Sequence, residues 1–421
     1  MRKTAILLLL GLLPLSAGAQ GLLDFFGFGV PQAKEKGPVS LAWDVNLDYN
    51  FDNREFDPSE DLFSRSSTIH NVALTPSIGV DIRQSSKVDH RVMLGIDVAK
   101  NLGESPTGAD DRNLANWGLF HEITLYYRIR ALAGKTLITG YAGAFPRSMM
   151  SRSYGPAFFS DSLLVFDRNI EGMLIKFKRP KARYEVGCDW MGMYGSKRRE
   201  RFLIFSSGES SVLPWLILGW NFTGYHYAHA VEYGNVCDNI LAEPYIRFDI
   251  ARQASFQELS LQLGVLAGAQ RLRDVDMNFT VPVAPEAILT LRKWDVCLRN
   301  NFYFSTSSLM PFYNRKDPGG FKYGSDFYFG DPFFRMNKPG REAENGFYDR
   351  LELFYEPNIA GFIDLKVGVV VHFAPTRDYA FGFAGWQQRV GLTFNLDRLL
   401  HPEKKITRNK RKSAVGGDYF L

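Results

Sequence analysis

The feature that most constrains the fold of this chain is a period-two alternation of apolar and polar residues over unusually long segments. From Val39 to Phe51, every odd position is apolar, and the even positions are Ser, Ala, Asp or Asn. Alternate side chains of a β-strand point to opposite faces, so this strand has one apolar and one hydrophilic face. Its 13 residues exceed the usual strand length of about 5–6 residues in globular proteins. Such a strand suits a tilted path across a membrane, with lipid on one side and water on the other.

The same alternation recurs in five later segments, which begin at Val92, Tyr184, Ile240, Ile363 and Trp386. Their polar positions carry Asp, Glu, Arg and Lys in mid-segment. The strands of a soluble β-sandwich also have one dry and one wet face. Segment length, aromatic residues near segment ends and the spacing of the connections favour a membrane barrel instead. The aromatic residues are Trp43, Tyr49, Phe51, Trp117, Tyr184, Trp190 and Trp386.

Short and long polar connections alternate along the chain. The short turns are predicted at 84–87, 132–135, 179–182, 252–255 and 357–361. The long loops are predicted at 52–67, 101–116, 146–168 and 305–346. Membrane barrels of bacteria have an even number of strands, short periplasmic turns and longer external loops. The sequence therefore predicts an all-β fold, a transmembrane antiparallel up-and-down β-barrel of about sixteen strands over residues 39–397.

The number of strands is open between residues 195 and 300, and fourteen strands is the alternative. There, segments 199–206, 213–227, 275–283 and 287–300 are predicted as four strands or fewer. Pro76 and Pro244 also fall inside predicted strands. Proline cannot donate to the hydrogen-bond ladder, so we expect a β-bulge at each.

The first residues resemble a secretory signal in three parts. Arg2 and Lys3 precede a short apolar run, and Ala17 and Ala19 fit a signal-peptidase site. The apolar run is too short to span a bilayer, which disfavours the alternative of a membrane anchor. We therefore expect a signal peptide at 1–19, a periplasmic N-terminal segment at 20–38, a basic periplasmic tail at 398–421, and localisation in the cell outer membrane.

Charge and cysteine content narrow the classes of partner. The formal net charge of +5 comes largely from the C-terminal tail, so we expect no nucleic-acid partner. Cys188, Cys237 and Cys297 are widely spaced and form no CxxC motif, so we expect neither a disulfide framework nor a zinc site. We expect no cofactor and no metal.

The segment from Gln387 to Leu396, taken with the signal peptide and the long alternating strands, resembles the last strand of porin-like Gram-negative outer-membrane β-barrel proteins of uncharacterised function. In that class, the last strand is similar to the signal that the barrel-assembly machinery reads. The resemblance therefore implies this machinery as a partner during biogenesis. It covers about residues 39–396, and this chain continues for 25 residues beyond Leu396, whereas many members stop there.

Some barrels of this class are enzymes, but the sequence shows no oriented catalytic set. His226 and His229 lack a fitting serine, and the spacing of Asp110, Asp111 and His121 is not specific. A nucleophile or base needs a partner within hydrogen-bond reach. We therefore expect that the chain is not an enzyme, and a hydrolase at the barrel rim is the least favoured hypothesis.

The loop at 146–168 is the strongest candidate for a functional site. It carries Arg147, Arg152, Asp161 and Asp167 together with many large apolar side chains. An exposed loop does not normally carry so many large apolar groups. We hypothesise that the loop folds into the lumen, where these charges form a pore constriction that sets size and charge selectivity. The alternative is an external lid.

A basic run contains Lys197, Arg198, Arg199 and Arg201. At an external rim, its guanidinium groups would suit the phosphates of lipopolysaccharide, although an ordinary charged loop is an equal alternative. Outer-membrane lipids are the other expected partner.

Two functions fit the predicted barrel better than catalysis does. The first is a porin-like channel for passive or selective diffusion of small polar solutes, because sixteen strands leave an aqueous lumen. The second is a closed structural or scaffold barrel that its own loops or N-terminus plug.

Overall fold

A computed structural model describes residues 38–56, 66–103, 122–151, 153–228, 230–232, 234–251, 255–307, 309, 320, 346–375 and 381–400. These residues form a single antiparallel sheet. Its strands are β1 (Val39–Phe56), β2 (Ser67–Arg83), β3 (Val88–Asn101), β4 (Glu122–Ala133), β5 (Thr136–Pro146), β6 (Asn169–Arg179), β7 (Ala182–Gly192), β8 (Arg201–Leu213), β9 (Leu216–Tyr227), β10 (Cys237–Asp249), β11 (Glu258–Leu272), β12 (Val283–Lys293), β13 (Val296–Ser305), β14 (Gly346–Tyr355), β15 (Asn358–Ile359), β16 (Ile363–Ala374) and β17 (Gly382–Asn395).

The sheet closes on itself into a barrel. Each strand pairs with its neighbour in sequence, and β17 pairs with β1 from Asn46↔Asn395 to Phe56↔Gly385. The two-residue β15 lies in the turn between β14 and β16, and those two strands pair directly. Sixteen strands therefore build the wall. This confirms the predicted antiparallel barrel and favours sixteen strands over the alternative of fourteen.

The two faces of the wall differ in polarity as the alternation predicts. Large apolar side chains on the outward face are exposed, among them Leu94, Ile78 and Leu263. The inward face carries charged residues in mid-strand, such as Asp97 on β3 and Glu243 on β10, and both are buried inside the barrel. A soluble barrel would reverse this pattern. The wall thus has the polarity of a barrel surrounded by hydrocarbon.

Aromatic side chains gather near both rims of the outward face. Trp190 stacks on Phe202 at 5.6 Å between ring centroids, near the rim that carries the long loops. At the opposite rim, Trp215 stacks on Phe248 at 6.2 Å. Such rings suit the two interfaces of a membrane.

Tight turns connect the strands at one end of the barrel. Four connections there have two residues each, at 134–135, 180–181, 214–215 and 294–295. Trp294 and Asp295 both have positive φ, at 52° and 66°. A two-residue hairpin turn of type I′ requires positive φ at both positions, and its twist matches that of the strands. The amide of Asp295 also donates to Gln257 Oε1 at 3.0 Å, which joins this turn to the connection between β10 and β11.

The structure corrects three strand predictions between residues 195 and 300. Residues 275–283 are not a strand: residues 273–282 connect β11 to β12, with one isolated bridge between Gln270 and Thr280. The alternation of Val275, Met277 and Phe279 resembles that of a strand, but these residues belong to a connection that forms no ladder. The predicted strand 287–300 is the hairpin of β12 and β13, and 213–227 contains the turn before β9.

The two strand prolines do not form the expected bulges. Leu74 pairs with Val98 and Ser77 with Gly95, so the register of β2 with β3 is unchanged across Pro76. The β10–β11 ladder likewise keeps its register across Pro244. Each ladder lacks the pair at the proline and the pair at the residue before it, and then resumes in the same register. A missing N–H removes a hydrogen bond but does not add a residue to the strand. Register shifts occur elsewhere, as at Trp190/Gly192.

Several predicted features lie outside the described residues. These are the signal peptide at 1–19, nearly all of the segment at 20–38, residues 401–421 of the basic tail, Trp117, and most of the predicted long loops at 52–67, 101–116 and 305–346. A short helix, which we call α2 (Leu396–Leu400), follows the last strand. In the described part of the chain, no helix is long and apolar enough to cross a membrane. Cys188, Cys237 and Cys297 are all described and are all unpaired.

We predict that a charge on the outward face destabilises the barrel far more than the same charge on the inward face. Leu94, midway along β3, is 52% exposed on the outward face. Leu94→Arg should reduce the free energy of unfolding from lipid vesicles by about 2–4 kcal/mol, because hydrocarbon cannot solvate the guanidinium. The control is Thr75→Arg, on the inward face of β2. Equal losses of stability from both variants, measured by urea titration, would show that lipid does not cover this surface.

Candidate functional site

The connection between β5 and β6 turns into the barrel. We call Arg147–Arg168 the inner segment. It begins with a 3-10 helix at Arg147–Met149 and contains a short helix, α1 (Asp161–Phe166). Ser160 caps α1, and its hydroxyl accepts from the amide of Leu163 at 3.1 Å.

The apolar side chains of the inner segment pack against the inner wall. Phe158 and Leu163 are completely buried. The ring of Tyr154 lies 6.2 Å from that of Phe205 on β8, in an edge-to-face arrangement. Burial and the neighbouring carboxylate of Glu185 raise the pKa of Tyr154, so its hydroxyl stays protonated. This packing explains why the segment is so rich in large apolar groups.

Arg147 joins the two ends of the inner segment and fastens them to the wall. Its Nη2 lies 2.7 Å from the carboxylate of Asp189 on β7 and 3.0 Å from that of Asp167. Its Nε also donates to the carbonyl of Asp167 at 2.8 Å. Burial acts to lower the pKa of Arg147, but Asp167 and Asp189 outweigh it and raise that pKa. The guanidinium therefore stays charged.

Arg168 makes the second fastening. Its Nη2 lies 2.5 Å from Asp48 on β1, and its Nε lies 3.2 Å from Asp97 on β3. Burial acts to lower the pKa of Arg168, whereas Asp48 and Asp97 raise it, and the net change is upward. A buried cation with two carboxylate partners keeps its charge, so this contact is an ion pair across the first strands of the barrel.

Asp161 reaches the last strands. Its carboxylate lies 3.0 Å from Arg350 on β14 and 2.9 Å from Arg389 on β17. Burial acts to raise the pKa of Asp161, but Arg389, Arg350 and Arg54 lower it well below its usual range. The carboxylate is therefore ionised, and it neutralises part of an arginine cluster on the wall.

Polar contacts complete the attachment on the side of β6 to β9. The amide of Ser151 donates to Glu185 Oε2 at 2.7 Å, and Lys176 Nζ donates to the carbonyl of Met149 at 2.7 Å. Asn221 on β9 donates from Nδ2 to the carbonyl of Ser153 at 3.0 Å. The inner segment thus contacts strands on every side of the lumen.

Exposure of the inward charges changes along the barrel axis. At the level of the inner segment, the side chains of Asp97 and Arg350 are only 2% and 3% exposed. Towards the tight turns, Lys366 is 31% exposed and Arg130 is 46% exposed. Solvent therefore reaches the half of the lumen near the tight turns, while the inner segment and its partners occupy the other level.

The four predicted constriction residues do not form one cluster. Arg147 and Asp167 pair with each other near β7, whereas Asp161 lies against β14 and β17. Arg152 lies outside the described residues. The sequence predicts arginines that face acids across a gap, but the three described residues contact their partners directly. Whether they restrict a pore remains a prediction.

Sequence reasoning missed the wall partners of the inner segment. These partners are Asp48, Asp97, Asp189, Arg350 and Arg389. The alternation does place each of them on the inward face of its strand. It cannot tell which inward charge meets which loop residue, because that depends on how the barrel closes.

The predicted lipopolysaccharide rim is only partly exposed. Lys197 and Arg198 are exposed, but Arg199 is buried and its Nη1 donates to the carbonyl of Lys197 at 2.5 Å. Arg201 donates from Nη2 to the carbonyl of Met191 at 2.9 Å. The run is therefore not one exposed cationic surface, and its contact with lipopolysaccharide remains a prediction that rests on Lys197 and Arg198.

Of the residues considered for a rim hydrolase, the structure describes His226. Its Nδ1 lies 2.9 Å from the carboxylate of Asp238 on β10. The other candidates, Asp110, Asp111, His121 and His229, lie outside the described residues.

No protein-family model matches the sequence, and no curated protein matches it. Among solved structures, the chain is similar to in-vitro folded OmpT, an outer membrane protein of Vibrio cholerae, at 8% identity and a TM-score of 0.47, over 87% of this chain and 100% of that one. It is similar to OpdO of Pseudomonas aeruginosa at 10% identity and a TM-score of 0.46, over 84% and 96% of the two chains. It is also similar to OmpF of Salmonella typhi in complex with daunomycin, at 8% identity and a TM-score of 0.43, over 84% and 97%. These likenesses concern the fold alone.

We predict that Asp161→Asn loosens the inner segment. The substitution removes one carboxylate that Arg350 and Arg389 share, although Arg350 keeps Glu352 at 2.6 Å. It should weaken the attachment by about 2 kcal/mol, because charge-assisted hydrogen bonds to buried cations are lost. Cleavage of folded protein by a protease within residues 147–168 should then be faster. Asp89→Asn is the control, because Asp89 pairs with Arg128 at 2.8 Å near the tight turns. Equal cleavage of Asp161→Asn and wild type would show that this ion pair does not hold the segment.

The attachment should also resist mild acid. The pKa of Asp161 is lower in the folded chain than its unfolded value of about 3.9. Its stabilising contribution is therefore complete above pH about 4 and is lost only as the pH falls further, towards the folded pKa. Hydrogen exchange of α1, which carries Asp161, should be protected equally at pH 7 and pH 5, after correction for the intrinsic rate. A loss of protection between those values would contradict the depressed pKa.

Proposed function

We propose that this protein is a porin-like channel of the Gram-negative outer membrane, through which small polar solutes diffuse. The observation that carries the proposal is the inner segment, which is fastened inside a sixteen-stranded barrel by ion pairs to opposite walls. A barrel of this size encloses more space than its own side chains fill. A segment held across that space is suited to set the size of the solutes that pass.

The chemistry of the wall supports a wet passage. Inward charges near the tight turns are partly exposed, among them Arg91 at 27% and Lys366 at 31%. They also lie near acids: Arg91 contacts Asp81 at 2.5 Å, and Lys366 contacts Glu356 at 3.3 Å. A lumen lined by mixed charges favours hydrated solutes over apolar ones.

The position of the inner segment supports a selective passage rather than a wide one. Its charges are neutralised by wall residues, so Asp161 and Arg168 hold the segment in place instead of standing free in the lumen. Selectivity in such a channel arises from the space left beside the segment and from the charges that border it.

A closed scaffold barrel is the second candidate, and a specific observation favours it. At the level of the inner segment, Tyr303, Tyr348 and Asn301 are almost completely buried although they lie on the inward face. A barrel filled at that level would support the membrane or a partner without passing solutes. Conductance separates the two functions.

We predict that purified wild-type protein in planar bilayers gives steps of ionic current. Replacing residues 153–166 with a short Gly-Ser linker should increase the single-channel conductance several-fold, because the segment no longer occupies the lumen. Arg130→Gln is the control: it removes an inward charge in the solvent-exposed half of the barrel, away from the inner segment, and should leave the conductance near the wild-type value.

Each other outcome of this experiment counts against part of the proposal. An unchanged conductance after the replacement would show that the inner segment does not restrict the passage. Current from the shortened variant but none from wild type would establish a plugged barrel. No current from either protein, when both insert and retain the β-sheet circular dichroism spectrum, would favour the scaffold.

A further inference from the structure

A row of polar side chains crosses the outward face near the rim that carries the long loops. His226 on β9, Asp238 on β10 and Arg271 on β11 are direct cross-strand neighbours. On the other side, His226 pairs with Phe202 of β8, which stacks on Trp190. The polar row therefore continues the aromatic row at the same height. That height corresponds to the interface of a membrane rather than its hydrocarbon centre.

One carboxylate in this row holds several donors. Arg271 Nε lies 2.6 Å from Asp238 Oδ2, and Arg273 lies 2.9 Å from Oδ2 through Nε and 3.0 Å from Oδ1 through Nη2. His226 Nδ1 lies 2.9 Å from Oδ1. Two guanidinium groups thus share one carboxylate, so these three side chains together carry one surplus positive charge, while the exposed Asp274 and Asp276 follow in the adjoining connection.

The surplus charge faces outward. Arg273 is the most exposed member of the group, with 37% of its side chain accessible. A charge on the lipid face of a barrel is far more destabilising at the bilayer midplane than near the interface. The position is therefore tolerable only among headgroups, and an anionic headgroup would compensate the charge.

The loop beside the row adds apolar surface at the same rim. The ring of Phe279 lies 4.4 Å from the guanidinium carbon of Arg271, which orients that group by a cation–π contact. Arg271 also donates from Nη1 to the carbonyl of Met277 at 3.4 Å. Val275, Met277 and Val281 are each 60–66% exposed. Exposed apolar side chains next to a cationic group suit a ligand that is amphipathic.

Small side chains lie directly below the row. On β11, Ala269 and Ala267 follow Arg271 on the outward face, opposite Ile240 and Ala242 of β10. Larger residues cover the same strand further down, where Leu263 and Leu261 are exposed. Side chains therefore protrude less from the outward surface just beneath the cations, and we call this recessed area at Ala267 and Ala269 the shallow wall. It leaves room for an acyl chain attached to a bound headgroup.

We propose that Arg271 and Arg273 bind a phosphate group of lipopolysaccharide in the outer leaflet. A guanidinium fork matches two phosphate oxygens, and such charge-assisted bonds are stronger than neutral ones. The long-loop rim, the surplus charge and the shallow wall below it all fit an acylated phosphosugar. This site is distinct from Lys197 and Arg198, and it does not depend on whether the barrel conducts.

The test measures binding of purified lipid A to full-length protein in detergent by native mass spectrometry. Arg271→Gln with Arg273→Gln should weaken binding at least about tenfold, because two charge-assisted contacts are lost. The control, Arg83→Gln with Lys87→Gln, removes the same charge at exposed positions of the opposite rim and should bind like wild type. Equal weakening in both double variants, or none in the first, would overturn the proposal.

Two further variants keep the test decisive if the double arginine variant does not fold. Asp238→Asn leaves both cations without their internal carboxylate and should tighten lipid A binding several-fold. Ala269→Leu fills the shallow wall without changing charge and should weaken it. An unchanged affinity in both would overturn the proposal.

Competition distinguishes the sources of the phosphate. Inorganic phosphate at millimolar concentration should not displace lipid A, because it lacks the acyl chains. Displacement would assign the site to free anions instead. Phosphatidylglycerol that binds as tightly as lipid A would overturn the assignment to lipopolysaccharide in favour of any anionic lipid.

Discussion

The rest of the structure depends on the hydrogen bonds between β1 and β17. Hydrocarbon offers no partner to an unpaired backbone amide or carbonyl, so a sheet that crosses a membrane must have no open edge. The eleven pairs from Asn46↔Asn395 to Phe56↔Gly385 remove that edge. Closure also creates an interior. Every polar or charged side chain that points into it needs a partner, which is water, another wall residue or a loop.

The inner segment meets part of that requirement. The inward face carries acids and bases in mid-strand, and at the level of the segment many of them are cut off from water. Arg147, Arg168 and Asp161 supply opposite charges there, at distances of 2.5–3.2 Å. Nearer the tight turns, where no segment enters in the described part of the chain, Lys366 and Arg130 keep contact with solvent. Polar side chains on the outward face also need water or a polar partner. This explains why the polar row of His226, Asp238 and Arg271 lies at a rim and not at mid-height.

The sequence predicts the fold well, because a period of two assigns each strand residue to lipid or lumen without any knowledge of its partners. It fails where the same pattern arises for another reason, as at Val275, Met277 and Phe279, whose apolar groups belong to a connection. The composition of the loop at 146–168 suggests an inward path. The pairing of Arg168 with Asp48, 120 residues away, follows from closure, and no local pattern encodes it.

The contact between Asp161 and Arg389 has a consequence for how the molecule is built. Arg389 lies on β17, the final strand, so this ion pair can form only after the chain has been synthesised almost to its end. In an incomplete sheet that lacks β17, Asp161 is without Arg389. The inner segment therefore makes its last contact only when β17 pairs with β1 and the barrel closes. The last attachment of the inner segment is thus coupled to the closure of the barrel, whereas its contacts with Asp189, Asp48 and Asp97 are not.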